Sequence, residues 1–263
     1  MQPHDTHRKR LIKLVDEVGR AEGRAQYEVF RDFLDAGYRA IRGTFLKGDA
    51  WQQNEDEYMK IVKHCRKPTE TMGRYAEMLA VTTEALEAEC SDFLGPTFME
   101  VGGSKDLGQF FTPNSLSKMM AMMTLDLPKL IDGSPRGYFT GQEPAAGMGG
   151  MVLAAAEVMR EKGYDPARHC HWLMVDVEFK AMAGCYIQTS LCGVSGFVTH
   201  GNTLSLAEWA SSPTPMAVLF PKRFGQVEIE PLMEADMPAA AELPAPLPAT
   251  KKGTSQMAFD FSC

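Results

Sequence analysis

The run Tyr138-Phe139-Thr140-Gly141-Gln142-Glu143-Pro144-Ala145-Ala146-Gly147-Met148-Gly149-Gly150, continued by MVLAAAEVMREKGYD over residues 151–165, decides the fold. A short segment ending at Glu143 reads as a strand, the glycines as a tight turn, and the alanine-rich continuation as a helix. Downstream, HWLMVDVE (171–178) reads as a second buried strand, FKAMAGCYIQTSLCGV (179–194) as a helix, and SGFVTHGN (195–202) as a third strand. Short apolar runs alternating with helices predict an α/β fold with a parallel sheet.

Gly147 and Gly149 permit backbone angles and close approaches that a Cβ would obstruct, so a ligand can rest against the turn and the following helix N-terminus. The spacing is GxGG. It is neither the dinucleotide fingerprint GxGxxG nor the triphosphate loop GxxxxGK[ST], so neither ligand class gains specific support. Asp176 ends the next predicted strand, where a carboxylate lies beside the same crevice and can accept hydrogen bonds from ribose hydroxyls. The plainer alternative is that the glycines serve close helix–strand packing and that Asp176 caps the next helix.

Upstream, the first hundred residues read as helical. Tyr27, Phe30, Phe33, Leu34, Tyr38, Ile41 and Phe45 recur at spacings of three and four. A second pattern runs through EDEYMKIVKHCR (55–66), and Pro68-Thr69 marks a break and restart. A third carries Met72, Tyr75, Met78, Leu79, Leu86 and Phe93 and is expected to stop at Gly95-Pro96. A loop, GQFFTP (108–113), then precedes a methionine-rich helix whose Leu116, Met119, Met120 and Met123 are expected to share a buried face.

Beyond the third strand the patterning weakens. LSLAEWA (204–210) reads as a helical turn, PMAVLF (215–220) as a short strand and QVEIE (226–230) as another. Residues 234–250 hold four prolines and six alanines, the composition of an extended linker rather than a core. The expected organisation is a helical region over 1–104, an α/β domain over 105–232, and a linker with a short tail over 233–263.

Composition sets broad bounds. The 263 residues carry 27 basic and 34 acidic side chains, a formal net charge of -7, which excludes a uniformly basic nucleic-acid coat but leaves room for a local basic groove. A hydrophobic fraction of 44% is ordinary for a globular chain. Six cysteines without a CxxC pair are expected to be buried or incidental thiols in a reducing cytosol. The basic N-terminal stretch has no apolar region after it and no apolar run is long enough to span a bilayer, so a soluble cytoplasmic protein with no membrane partner is expected. His169-Cys170-His171 has no second ligand group at a recognisable spacing, so no metal is assigned. HExxH and GxSxG motifs are absent from the sequence.

Taken in order, DLGQFFTP (106–113), EPAAGMGGMVLAAAEVMREKG (143–163), VDVE (175–178) and HGNTLSL (200–206) resemble the N6-adenine DNA methyltransferases, particularly the modification subunits of Type I restriction systems and their small plasmid and phage relatives. The resemblance spans about residues 70–210. It implies a Rossmann-like S-adenosylmethionine-dependent methyltransferase fold, truncated at its C-terminal side and preceded by helices. It further implies that Phe110, Phe111, Thr112 and Pro113 line the methionine end of S-adenosylmethionine, and that Glu143, Pro144, Ala145, Gly147 and Gly149 form the main cofactor loop. Asp176 would hold the ribose hydroxyls, Val177 would lie beside the adenine, and Gly201 and Asn202 would sit at the far edge.

The sequence departs from that family in two places. Glu143 stands where an aspartate is usual, a change that keeps the charge. The catalytic tetrapeptide, Asp or Asn followed by Pro-Pro and an aromatic, is missing; in the family it holds the target amino group while the aromatic stacks on an extruded base. The nearest fragment is Ser211-Ser212-Pro213-Thr214-Pro215, which nominates Ser212 as the polar group and Trp209 as a stacking platform. With no target-recognition domain evident, sequence specificity is expected to be low or supplied by a partner. The alternative is a noncatalytic relative that binds DNA or protein in an anti-restriction or regulatory role.

Two partner surfaces follow. Lys60, Lys63, Arg66 and Lys67, three or four apart, are expected to share a helix face for DNA phosphates, ahead of scattered cations such as Arg8, Lys9, Arg10, Lys13, Arg39, Arg42 and Lys47. The tail carries Gln256, Met257, Phe259 and Phe261, which resemble the short peptides by which bacterial replication and repair proteins bind the sliding clamp.

Overall fold

Burial follows the helical periodicity. In the computed structural model, which describes residues 4–102 and 112–220, the first four helices are α1 (Asp5–Glu22), α2 (Gln26–Gly43), α3 (Gly48–His64) and α4 (Pro68–Ala88). Phe30, Phe33, Leu34 and Tyr38 on α2 are buried, as are Tyr75, Met78 and Leu86 on α4. Pro68 occupies the first turn of α4, where its missing N–H costs nothing. The start of α4 is secured by Glu22 at the end of α1. Its carboxylate accepts hydrogen bonds from the backbone N–H of Arg66 at 2.6 Å, from that of Lys67 at 3.1 Å, and from the Thr71 hydroxyl.

The third helical pattern does not run to Gly95. α4 ends at Ala88, and a separate short helix, α5 (Leu94–Glu100), contains Gly95 and Pro96 in its first turn. The cause is tertiary. Gln188 Oε1 accepts from the N–H groups of Phe93 and Leu94 at 2.8 and 3.0 Å, and Asp92 Oδ1 accepts from Gly95 N–H at 2.9 Å, so three orphan donors of the new helix are satisfied.

After α6 (Asn114–Thr124) and a wide helical turn, Pro128–Asp132, comes the α/β part. It consists of β1 (Phe139–Glu143), α7 (Gly150–Glu161), α8 (Pro166–His169), β2 (Cys170–Asp176), α9 (Phe179–Leu191), β3 (Gly196–Asn202), β4 (Ala207–Pro213) and α10 (Pro215–Leu219). The sheet order is β1-β2-β3-β4. β1 pairs parallel with β2, Glu143 opposite Met174, and β2 parallel with β3, Asp176 opposite His200, so the C-terminal ends of the three strands lie together. β4 runs antiparallel to β3.

This mixed α/β sheet matches the expectation for residues 138–202. Two later expectations are corrected: Ala207–Pro213, in the segment read as a helical turn and loop, forms β4, and Pro215–Leu219, read as a strand, is helical. Pro215 at the first helical position explains the second. QVEIE (226–230) lies outside the described residues.

One buried cluster contains Leu11, Phe30 and Met78 from the helical part together with Leu153, Met174, Ile187 and Val198 from the α/β part. By chain contacts, the described residues all fall within one unit, Met1–Met233.

The methionine-rich helix is a further correction. Leu116, Met119, Met120 and Met123 of α6 are all exposed, Met123 by 78%, while Ser117 and Ala121 are its buried residues. Small side chains let α6 lie close to α7. Lys118 ties the two helices through Glu157 and Glu161, each at 2.6 Å.

The cysteines also depart from expectation. Cys90 and Cys192 form a disulfide with their Cα atoms 6.0 Å apart, while Cys65, Cys170 and Cys185 are buried thiols. The network around Asp92 and Gln188 brings the two chain segments together. Among the described residues no helix is long and apolar enough to cross a membrane.

Candidate functional site

The loop after β1 turns on its glycines. Gly147 has φ 53° and Gly149 φ 91°, both in the left-handed region that residues with a Cβ avoid. Gly149 N–H donates to Ala146 O at 2.8 Å and closes the turn, while Ala146 N–H donates to Val175 O at 2.8 Å and anchors it to β2. A Cβ on Gly149 would stand 3.1 Å from Cys185 Sγ on α9, so close packing is part of this glycine's use.

Asp176 receives the loop. Its Oδ2 accepts from Gly147 N–H at 2.7 Å and its Oδ1 from Glu178 N–H at 2.9 Å. The cap of α9 is Glu178, whose carboxylate accepts from Ala181 N–H at 2.6 Å; capping is therefore not the work of Asp176. Burial raises the Glu178 pKa. Each Asp176 oxygen carries one protein donor, which leaves lone pairs for a ligand's hydroxyls.

These groups wall a cavity of about 310 Å³, at the lower end of small-molecule sites. Ala145, Ala146 and Gly147 form one wall, Gly150 and Met151 of α7 another, and Asp176 and Val177 a third. Asp92, Thr112 and Ser117 complete it. Val177 is 57% exposed, an apolar surface without a covering group among the described residues.

The structure thus gathers Thr112, Ala145, Gly147, Asp176 and Val177 around one cavity. Glu143 is not among the lining residues and ends β1 just before the loop: burial raises its pKa, Ala145 N–H opposes the rise, and the charge of Asp176 adds to it. Pro144 and Gly149 frame the loop, and Pro113 precedes the first turn of α6. Gly201 and Asn202 end β3 outside the cavity wall. Asn202 Oδ1 accepts from Leu204 N–H at 3.0 Å, and the adjacent Thr203 hydroxyl donates to Pro144 O at 2.6 Å, so this turn braces the glycine loop. Phe110 and Phe111 lie outside the described residues.

Ser212 is not brought to this cavity. It is buried on β4, and its hydroxyl is 2.8 Å from the Tyr38 hydroxyl of α2. Trp209, also on β4, packs its ring edgewise on His200 at 4.7 Å. Burial lowers the His200 pKa, and the ring is hydrogen-bonded to Val177 O at 3.1 Å. Trp209 is therefore linked to the cavity through one intervening side chain.

The proposed basic face needs correction in its geometry. α3 ends at His64, so Arg66 and Lys67 lie in the connection to α4 and do not share a helix face with Lys60 and Lys63. Glu22 holds their backbone there. Lys60 pairs with Glu57, and Lys67 lies 3.4 Å from Glu70, while all four cations are exposed.

Asp92, Ser117 and Met151 were not singled out by sequence reasoning. Asp92 sits where the helical reading ran on unbroken. Its local signal is an aspartate three residues before Gly95, the spacing of a side chain that caps a turn. Gln256, Met257, Phe259 and Phe261 lie outside the described residues. Among those described, no cluster of His, Cys, Asp or Glu could hold a metal ion.

No curated protein matches the chain. Residues 96–225, which carry the glycine loop, Asp176 and the strands that hold them, match the family model described as N-6 DNA Methylase, so over this segment the chain is similar to that family.

Proposed function

We propose that the chain binds S-adenosylmethionine in the cavity beside Gly147 and serves N6-methylation of adenine in DNA, with sequence recognition supplied by a partner. The observation that carries this reading is the hydrogen bond from Gly147 N–H to Asp176 Oδ2, which ties the glycine loop to the strand-end carboxylate beside the cavity. The cavity's chemistry suits the cofactor. Asp176 offers acceptors for ribose hydroxyls, Val177 an apolar surface for adenine, and the loop a backbone approach free of side chains.

When bound, S-adenosylmethionine supplies an electrophilic methyl group on a sulfonium centre. The chain's own contribution is orientation and exclusion of water. Asp176 fixes the ribose, the Gly147–Gly149 turn sets how close the ligand comes to α7, and Thr112 closes the side next to α6. Lys60, Lys63, Arg66 and Lys67 are the cations proposed to meet DNA phosphates.

A second reading, a cofactor-binding component without activity of its own, is favoured by Ser212. Its buried hydroxyl is engaged with Tyr38 and does not line the cavity. Incubation with labelled S-adenosylmethionine and duplex DNA, single-stranded DNA or RNA, followed by digestion, separates the two. N6-methyladenine supports the enzyme; cofactor binding without modified base supports the noncatalytic component. If Ser212→Ala remains folded and equally active, Ser212 has no part in base handling.

The sliding clamp is a further proposed partner, through Gln256, Met257, Phe259 and Phe261. A peptide of residues 251–263 should bind purified clamp more tightly than one with Ala at Gln256, Phe259 and Phe261. Equal or absent binding removes the proposal.

A further inference from the structure

We infer that Asp92 is the specificity residue for the amino-acid end of the cofactor, its free oxygen accepting from the ligand's α-ammonium group. This rests on the proposed use of the cavity by S-adenosylmethionine. Asp92 is 7% exposed and lines the same cavity as Asp176, the carboxylate proposed for the ribose. Its two oxygens have different surroundings. Oδ1 is committed to the fold, accepting from Gly95 N–H and from Gln188 Nε2, both at 2.9 Å. Oδ2 receives no hydrogen bond from any described residue and lies 3.2 Å from where a Cβ on Gly150 would stand, at the first turn of α7 on the cavity wall. That oxygen is left with acceptor capacity on the cavity side, where a ligand's donor can meet it.

The sign of the environment selects the ligand group. Burial raises the Asp92 pKa, against the hydrogen bonds from Gln188 and Gly95 and the charge of His4, so a further cation placed at Oδ2 stabilises the ionised form and is itself stabilised. On the same wall, the Ser117 hydroxyl is buried without a partner among the described residues and can donate to an anionic oxygen. An acceptor-only carboxylate and a free hydroxyl in one cavity fit the two ends of a zwitterionic amino acid. The adenosine end has Asp176 and Val177, so the polarity of the site runs from nucleoside at β2 to amino acid at α5.

The test uses the full chain and Asp92→Asn, which keeps an Oδ1 acceptor for Gly95 and Gln188 and replaces only the free oxygen by a donor. Calorimetric affinities are measured for S-adenosylhomocysteine and for 5′-methylthioadenosine, which lacks the amino-acid group. Loss of a charge-assisted bond predicts an S-adenosylhomocysteine affinity about 10- to 100-fold weaker in the variant, with 5′-methylthioadenosine unchanged. Equal S-adenosylhomocysteine affinity in both proteins, or the same loss for both ligands, overturns the assignment.

A measurement on the unaltered protein removes dependence on the variant's folding. S-adenosylhomocysteine should bind at least about 10-fold more tightly than its analogue with hydrogen in place of the α-amino group. Equal binding of the two overturns the assignment while leaving the cofactor reading intact. If the unaltered protein binds no adenosyl ligand at all, the cofactor reading fails and takes this inference with it.

Discussion

Gly147 N–H donates to Asp176 Oδ2 at 2.7 Å across 29 residues of sequence, so the loop that a ligand approaches is shaped by the carboxylate proposed to grip that ligand. Asp176→Ala should therefore act twice, removing the ribose acceptor and releasing the loop. S-adenosylhomocysteine affinity should fall by about 10- to 100-fold in calorimetry. Unchanged affinity in a folded variant removes Asp176 from the contact.

Gln188 is expected to be among the most sensitive interior positions. Its buried amide donates to Asp92 Oδ1 and to Met148 O at 2.7 Å while accepting from Phe93 and Leu94. It thereby connects α9, the glycine loop and the start of α5. Gln188→Ala leaves several buried groups without partners and should cost about 2–4 kcal/mol, measured by urea unfolding. A loss under about 0.5 kcal/mol would contradict this reading.

Glu22 supplies a pH signature of stability. Burial alone would raise its pKa, but hydrogen bonds from Thr71, Arg66 and Lys67 outweigh that and hold it below the usual carboxylate value. The folded pKa lies below the unfolded one, so its contribution is present above the unfolded pKa and is lost as pH falls through the folded value. Glu22→Gln should lower stability at neutral pH by about 1–3 kcal/mol and approach the wild type in strong acid. Parallel stability curves for the two proteins would exclude the role.

Much of the fold was legible because the signals were local. The strand-turn-helix of residues 139–161 follows from apolar runs bounded by glycines, and α2 from its three-and-four spacing. The misread elements were decided at a distance. Asp92 and Gln188 split the third helix; α6 turned its methionines outward because Ser117 and Ala121 allow close approach to α7; and the antiparallel pairing with β3 made Ala207–Pro213 a strand. The cavity residues Thr112, Ala145, Gly147, Asp176 and Val177 were recognised from motifs, whereas Asp92 reaches the cavity only through tertiary packing. Ser212 was chosen for its neighbouring prolines, and nothing in its local sequence reveals Tyr38, 174 residues away.

Cofactor binding should strengthen as acid conditions are relieved. Burial raises the Glu143 pKa, followed by the opposing Ala145 N–H and the reinforcing charge of Asp176. A cation held against the loop that follows Glu143 favours the ionised carboxylate, so binding releases a proton wherever Glu143 is still protonated. Affinity for S-adenosylmethionine should rise with pH above the ordinary glutamate range and level off once Glu143 is ionised. The rise should be shallower for S-adenosylhomocysteine, which lacks the sulfonium charge, and in Glu143→Gln. Titrations across that range check this, and identical pH profiles for both ligands and both proteins would refute it.

The most direct test of a cofactor cavity between Gly147 and Asp176 is calorimetric titration of the purified full chain with S-adenosylhomocysteine at neutral pH. One saturable site per chain is predicted, with affinity tighter than about 1 mM. No saturable heat up to that concentration would contradict it.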